Sequence, residues 1–331
     1  MTQLQGIHFR PFAGAADFPA MCDCANASFV LDGIEFVRTV EDMARDYAAF
    51  TDCVPEHDIW IAQAPGAMAG YVRCWHWGQP DGQRLYSQTG FVVPQWRRKG
   101  LGAALLAWAE ARHRQQAAAH PEAPLHSHQA YVTQSEIARA AMLQKAGYRP
   151  ARYFLTMVRP TLEAIADFPL PPGLELRPVR PEHHRAIWNA HQRAFAAHWG
   201  HSEATEADYQ SWLKSRASQP HLWQVAWDLR TGEVAGQVRT FIDDAYNAAR
   251  TRKRGWTEFI SVDAPWRRRG LARALISASL RAQRAAGMEE SGLGVDSENH
   301  DGASRVYEDC GFVVAKRNCI YRKPMAPTAA P

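Results

Sequence analysis

The chain has 331 residues, 46% hydrophobic and 22% charged, with a formal charge of +4. That is enough apolar material for two cores, which excludes disordered, collagen-like and disulfide-scaffold classes. No apolar run approaches the ~20 residues of a membrane span, no basic-then-apolar leader is visible at the start, and six cysteines without a C-x-x-C pair fit a reducing compartment.

In chain order, a short strand at Ile7–Arg10 leads into helical stretches. Strands follow at Ile59–Gln63 and Tyr71–Trp75, where β-branched and aromatic residues are dense. Another, Leu85–Val93, runs into the basic turn Trp96-Arg97-Arg98-Lys99-Gly100-Leu101-Gly102. Leu101, Ala104, Leu105 and Trp108 then recur at i, i+3, i+4, i+7, which predicts a helix with one buried stripe. His126-Ser127-His128 reads as a polar loop rather than a metal site. Residues 161–172 end in a proline cluster and read as an extended linker.

Beyond the linker come a strand at Leu174–Arg177 and a helical region holding Trp188, Phe195, His198, Trp199, Trp212 and Trp223, mostly core residues by expectation. Strands are predicted at Leu222–Trp227, Ala235–Phe241 and Thr257–Val262, with the run Arg250–Arg254 as an exposed loop. The turn Trp266-Arg267-Arg268-Arg269-Gly270-Leu271-Ala272 opens a helix striped by Leu271, Ala274, Leu275 and Ala278. The Ala/Pro-rich residues 326–331 read as a disordered tail.

The chain repeats itself. Gly6–Pro11 matches Gly173–Pro178, Ala69–Arg73 matches Ala235–Arg239, Trp96–Gly102 matches Trp266–Ala272, and Gly147-Tyr148 matches Gly311-Phe312, in one order at a spacing of about 164–170 residues. The expectation is two copies of one α/β fold, each a mixed sheet with helices on both faces, over residues 1–160 and 173–325.

In each basic turn a strand ends, a glycine lets backbone N–H groups approach a ligand, and a helix begins whose free N–H groups and dipole favour an anion. The flanking arginines add charge-assisted donors suited to a pyrophosphate. Neither a P-loop nor a dinucleotide G-x-G-x-x-G is present.

These turns resemble the acetyl-CoA pyrophosphate loop, [QR]-x-x-G-x-[GA], of the GNAT N-acetyltransferase superfamily, and both copies satisfy it. Asn299, Ala303, Tyr307, Gly311 and Phe312 are similar to a second region of that family. The tandem layout resembles bacterial two-domain acetyltransferases of the mycothiol synthase type. The resemblance implies acetyl-CoA as cosubstrate, no metal, a small-molecule amine as partner, no nucleic acid or membrane, a monomer or homodimer, and a cytoplasmic location. It implies that Arg267, Arg268, Arg269, Gly270, Leu271 and Ala272 hold the pyrophosphate with Asn299 beside them, that the strand N–H groups around Ile260 and Val262 serve the thioester, and that Arg97, Arg98, Lys99, Gly100 and Gly102 repeat the loop in the first copy.

Aminolysis of a thioester requires an amine stripped of its proton, normally held with pKa ~10.4. Glu258 is the base candidate, expected to face the cleft together with Ile260 and Val262 at alternate strand positions. Tyr307 is the acid candidate by resemblance; a phenol is a weaker acid than a thiol by ~2 kcal/mol, so a hydrogen bond to the departing sulfur describes it better than full transfer. In the first copy Gln88 stands for Glu258, Leu143 for Tyr307 and Ser135 for Asn299. The second copy is therefore expected to be catalytic and the first not. An acyl-CoA sensor and a nucleic-acid-binding protein are the competing classes; the Asn299/Tyr307 pair argues against the first and the modest net charge against the second.

Overall fold

The computed structural model describes residues 4–325 apart from 51, 80, 197, 198, 200–203, 216 and 299–302. Asn299, His198 and the tail 326–331 lie outside the described residues. In chain order the first half holds β1 (His8–Pro11), α1 (Phe18–Leu31), α2 (Val40–Ala48), α3 (Pro55–Asp58), β2 (Ile59–Ala64), β3 (Ala67–Gly78), β4 (Arg84–Val92), α4 (Leu101–Ala117), β5 (His126–Thr133), α5 (Ile137–Lys145) and β6 (Arg149–Arg159). The second holds β7 (Leu174–Leu176), α6 (His184–Phe195), α7 (Glu206–Lys214), β8 (Gln224–Asp228), β9 (Val234–Ile242), α8 (Asp244–Arg250), β10 (Arg254–Val262), α9 (Leu271–Ala285), β11 (Glu290–Asp296), α10 (Ala303–Asp309) and β12 (Val313–Pro324).

The compact units do not divide at the proline cluster. Unit 1 is residues 1–152 with 318–331, and unit 2 is residues 153–317. The strand pairing explains the division. In unit 1, β1 through β5 pair in sequence order, and the strand added beside β5 is the end of β12, with Asn318–Pro324 antiparallel to Thr133–Ser127. In unit 2, β7 through β11 pair in the same manner, and the strand added beside β11 is β6, with Phe154–Arg159 antiparallel to Asp296–Ser291. Each repeat thus lends its last strand to the other. Of these pairs all are antiparallel except β4 with β5 and β10 with β11. Residues 161–172 are no free connector either: Leu162 is buried, its N–H bonds to the Glu289 carbonyl, and Ile165, Phe168 and Leu170 pack on the unit 2 core.

Helices cover both faces, as the alternation of strands and helices along each repeat predicts. In unit 1, Tyr71 packs with α1 residues such as Met21, while Val72 packs with Leu101 and Leu105 of α4. In unit 2, Val238 lies with Leu271 and Leu275 of α9, and Gln237 donates to the Ile187 carbonyl of α6 on the opposite face. The rear of α9 is held by hydroxyl and amide contacts: Gln283 Nε2 donates to Thr257 at 2.7 Å, and Thr257 pairs with Ser291 at 2.9 Å.

Two local expectations change. His126–His128 is strand β5 rather than a loop, with His128 buried and its Nδ1 3.0 Å from His113 Nδ1; burial lowers both imidazoles to about 3. Arg250–Arg254 is the expected exposed loop only in part: Thr251 and Lys253 are exposed, whereas Arg250 ends α8. Arg254 opens β10, is buried, and pairs with Glu290 at 2.9 Å, while Lys253 pairs with Glu289 at 2.7 Å.

Tyr321 sits in the unit 1 core with Leu106, Val132, Leu143 and Tyr148 although it is near the chain end. Tyr321→Ala should cost ~3 kcal/mol in urea unfolding and speed amide exchange across β5. Exchange accelerated only in β11 would contradict the strand exchange.

Candidate active site

The site in unit 2 begins with a register change. β10 matches β9 residue for residue from Gly255–Ile242 to Glu258–Arg239, and then Ser261 faces Gln237, so β10 carries one extra residue in this interval. Phe259 takes φ 52°, the left-handed region a side chain rarely occupies. An inserted residue reverses the alternation beyond it. Glu258 and Arg239 lie on the α6 face, whereas Val262 opposes Gly236 on the α9 face, and Ile260 and Val262 pack against the core that holds Leu271 and Leu275. The expected common face of Glu258, Ile260 and Val262 therefore does not form; the bulge separates the carboxylate from the other two.

The bulge also parts the two parallel strands. β10 pairs with β11 only over Arg254–Trp256 against Glu290–Gly292. Past that point Glu258 Oε1 accepts the Gly294 N–H at 2.8 Å. A Cβ added at Gly294 would stand 3.6 Å from that oxygen, an ordinary contact, so the approach does not depend on glycine. Burial raises the Glu258 carboxyl to about 7 against this bond and one from Phe259 N–H, both of which act the other way.

Tyr307 comes from α10, buried at 8% exposure and edge-on to Phe312. Burial, then the charge of Glu258, raises its phenol above the ordinary range. Among the described residues the Tyr307 hydroxyl has no hydrogen-bond partner.

The loop after β10 turns through a short helical turn, Ala264–Trp266, to Arg268 at φ 59° and Gly270 at φ 85°, the residue that caps α9. Two left-handed residues around Arg269 curl the backbone so that the first N–H groups of α9, at Leu271 and Ala272, have no carbonyl within the helix to bond. Arg267 donates from Nε to the Val262 carbonyl at 3.2 Å, bracing the loop on its strand. Arg268 and Arg269 are exposed and make no ion pair among the described residues; Arg269 lies 5.1 Å from the Trp266 ring. Leu271 anchors the helix start in the core and Ala272 is half-buried.

Unit 1 copies the loop and not the rest. Arg98 has φ 61°, Gly100 φ 87°, and Lys99 lies 5.0 Å from the Trp96 ring. An added Cβ at Gly102 would meet Met142 Sδ at 3.2 Å. Arg97 is committed elsewhere: Nε bonds the Val92 carbonyl and both terminal nitrogens grip Asp32, at 2.6 and 2.7 Å. These bonds tie the loop to its strand and to Asp32 just after α1. β4 shows no bulge against β3 and stays paired with β5 from Arg84 to Gln88. Gln88 is buried within that ladder and Leu143 within the core.

Sequence reasoning passed over Arg239, Phe259 and Gly294. Arg239 stood inside the repeat match, but only the pairing of β9 with β10 puts it opposite Glu258.

Comparison with known proteins gives one answer. The model described as "Acetyltransferase (GNAT) family" matches residues 184–312, and that described as "Acetyltransferase (GNAT) domain" matches residues 55–150. A "Mycothiol acetyltransferase" of Salinispora arenicola is 30% identical over 272 residues, covering 81% of this chain and 82% of the relative. A solved GCN5-related N-acetyltransferase from Sphaerobacter thermophilus superposes with a TM-score of 0.75 at 26% identity, over 98% of this chain and 97% of that one. A tandem GNAT protein from the clavulanic acid biosynthesis pathway shares the fold at a TM-score of 0.67 and 17% identity, over 98% of this chain and 100% of that one. The chain belongs to the GNAT acetyltransferase family, as an enzyme built of two tandem domains.

Proposed function

We propose that the chain moves an acetyl group from acetyl-CoA to a primary amine of a small molecule by direct attack, and that unit 2 does the chemistry. The observation that carries this reading is Glu258, a desolvated carboxyl raised to about 7, set where β10 leaves β11, whose charge acts on Tyr307. The relatives named as mycothiol acetyltransferases support a small-molecule acceptor.

The residues divide the work as follows. Arg268, Arg269 and the N–H groups of Gly270–Ala272 hold the pyrophosphate. The freed edge of β10 near Ile260 receives the pantetheine arm and thioester. Glu258 takes the amine proton as the C–N bond forms; at about 7 it is a better acceptor than an ordinary carboxylate by about 3 kcal/mol. The C–S bond breaks toward Tyr307, which stays neutral and donates a hydrogen bond to the departing sulfur. In unit 1 no carboxylate or phenol occupies these places, and the ladder of β4 with β5 continues through Gln88. An acyl-CoA sensor would have no use for a base held at this cost.

Tyr307→Phe should lower kcat by about 10²-fold and leave acetyl-CoA affinity nearly intact, read by thiol release over an amine panel and by calorimetry. Full turnover in this variant would remove Tyr307 from the mechanism.

For Glu258→Gln the rate should fall by ~10²–10³, and the rise of kcat/KM through about pH 7 should vanish. Stability moves oppositely. Because the folded carboxyl holds its proton more tightly than the unfolded one, wild-type stability declines as pH climbs from about 4.5 to about 7 and stays lowered above. The glutamine variant should melt higher than wild type at pH 8 and lose that advantage at pH 4.

Calorimetric titration should find one acetyl-CoA per chain, abolished by Gly270→Asp and retained in Gly100→Asp. Two equivalent sites would overturn the assignment to unit 2.

A further inference from the structure

Arg239 has no part in the transfer just described, yet it stands directly opposite Glu258 on the neighbouring strand. It is 2% exposed, and its Nε and Nη1 are buried without a hydrogen-bond partner. Its guanidinium lies over the Phe259 ring at 4.2 Å and near Trp212 at 5.3 Å. No carboxylate pairs with it among the described residues, and burial alone acts on it, lowering it to about 9. Two aromatic faces return far less than the loss of water costs a buried cation. An ionised group left in this condition is poised for a partner that the described residues do not supply.

The repeat supplies a comparison. Arg73 occupies the matching place in unit 1, over Phe50 at 4.2 Å and Trp75 at 4.6 Å, but there the charge of Asp52 acts together with it. Unit 2 keeps the cation and its aromatic bed without the acid. Glu258 does not substitute for that acid: no ion pair joins the two, and the carboxyl turns to Gly294. Phe259, the bulge residue, is 41% exposed and forms the outer wall over Arg239.

We propose that Arg239 receives an anionic group of the acceptor, so that the substrate of unit 2 is an amine bearing a carboxylate or phosphate a few atoms from its nitrogen. Opposed residues on antiparallel strands stand about 4.5–5.5 Å apart. An amine delivered to Glu258 then brings a nearby anion to the guanidinium, whose forked donors fit two oxygens at once. This inference rests on the acetyl-transfer reading and adds the class of acceptor to it.

The test uses the full-length protein and three amines of one carbon skeleton that carry a carboxylate, a phosphate or a neutral carboxamide, with CoA release as the readout. Wild type should favour one anionic amine over the amide by about 100-fold in kcat/KM, mostly through KM, and which anion wins tells carboxylate from phosphate. In Arg239→Met that ratio should collapse toward one, and Arg239→Lys should restore part of it. An acetyl-CoA affinity equal to wild type reports that the variants are folded. Equal rates with charged and neutral amines in wild type, or a ratio unchanged in Arg239→Met, would overturn the inference while leaving acetyl transfer in place. No CoA release from any amine would overturn the acetyl-transfer reading and this inference together.

Discussion

A β-ladder keeps its faces only while two strands advance residue for residue. In unit 2 the ladder slips by one between Glu258 and Ser261, and the rest of the site follows from that slip. It turns Ile260 and Val262 toward α9 while leaving Glu258 beside Arg239. It frees the edge of β10 from β11 after Trp256, exposing backbone where a regular sheet would have none. It also holds the carboxylate where only two N–H groups oppose its desolvation. Phe259 bears the strain in a left-handed conformation, a cost of roughly 1–2 kcal/mol for a residue with a Cβ.

The two copies show which parts of this arrangement travel together. The loop geometry is nearly identical in both, down to the left-handed arginine and glycine and the cation over the tryptophan. It persists in unit 1 because it also starts a long helix and ties it to the strand before it, a structural task that needs no ligand. Arg97 displays that task openly by spending its donors on Asp32 and Val92. The bulge, the carboxylate and the phenol are absent together, which is what a shared chemical purpose would require. Without the bulge a carboxylate at position 88 would be buried in a closed ladder, and without the carboxylate the bulge would carry strain for no return.

Each unit closes its sheet with a strand whose hydrophobic side chains were made by the other repeat: Met157 enters the unit 2 core, and Cys319 and Tyr321 enter that of unit 1. Neither repeat, cut at the proline cluster, would contain its own complete sheet. Leu162, Ile165, Phe168 and Leu170 are apolar for the same reason, since the segment expected to be a linker covers the unit 2 core.

Local information was sufficient for the repeat, the strands, the striped helices and the glycine turns, because each depends on residues near one another in the chain: apolar periodicity, a glycine tolerant of positive φ, arginines beside a helix start. Glu258 follows from its place on the strand before the turn, and Tyr307 only from resemblance to the family's second region. What the linear order could not carry is pairing. Whether β6 lies on β5 or β11, whether β10 has one residue more than β9, and whether Arg239 has an acid for company are all decided by which distant segments meet. Glu258 and Val262 lie on opposite faces for that reason, since alternation along one strand is blind to the partner that breaks it. The tertiary structure decided the site because desolvation of a carboxyl and the loneliness of a guanidinium are properties of surroundings assembled from across the chain.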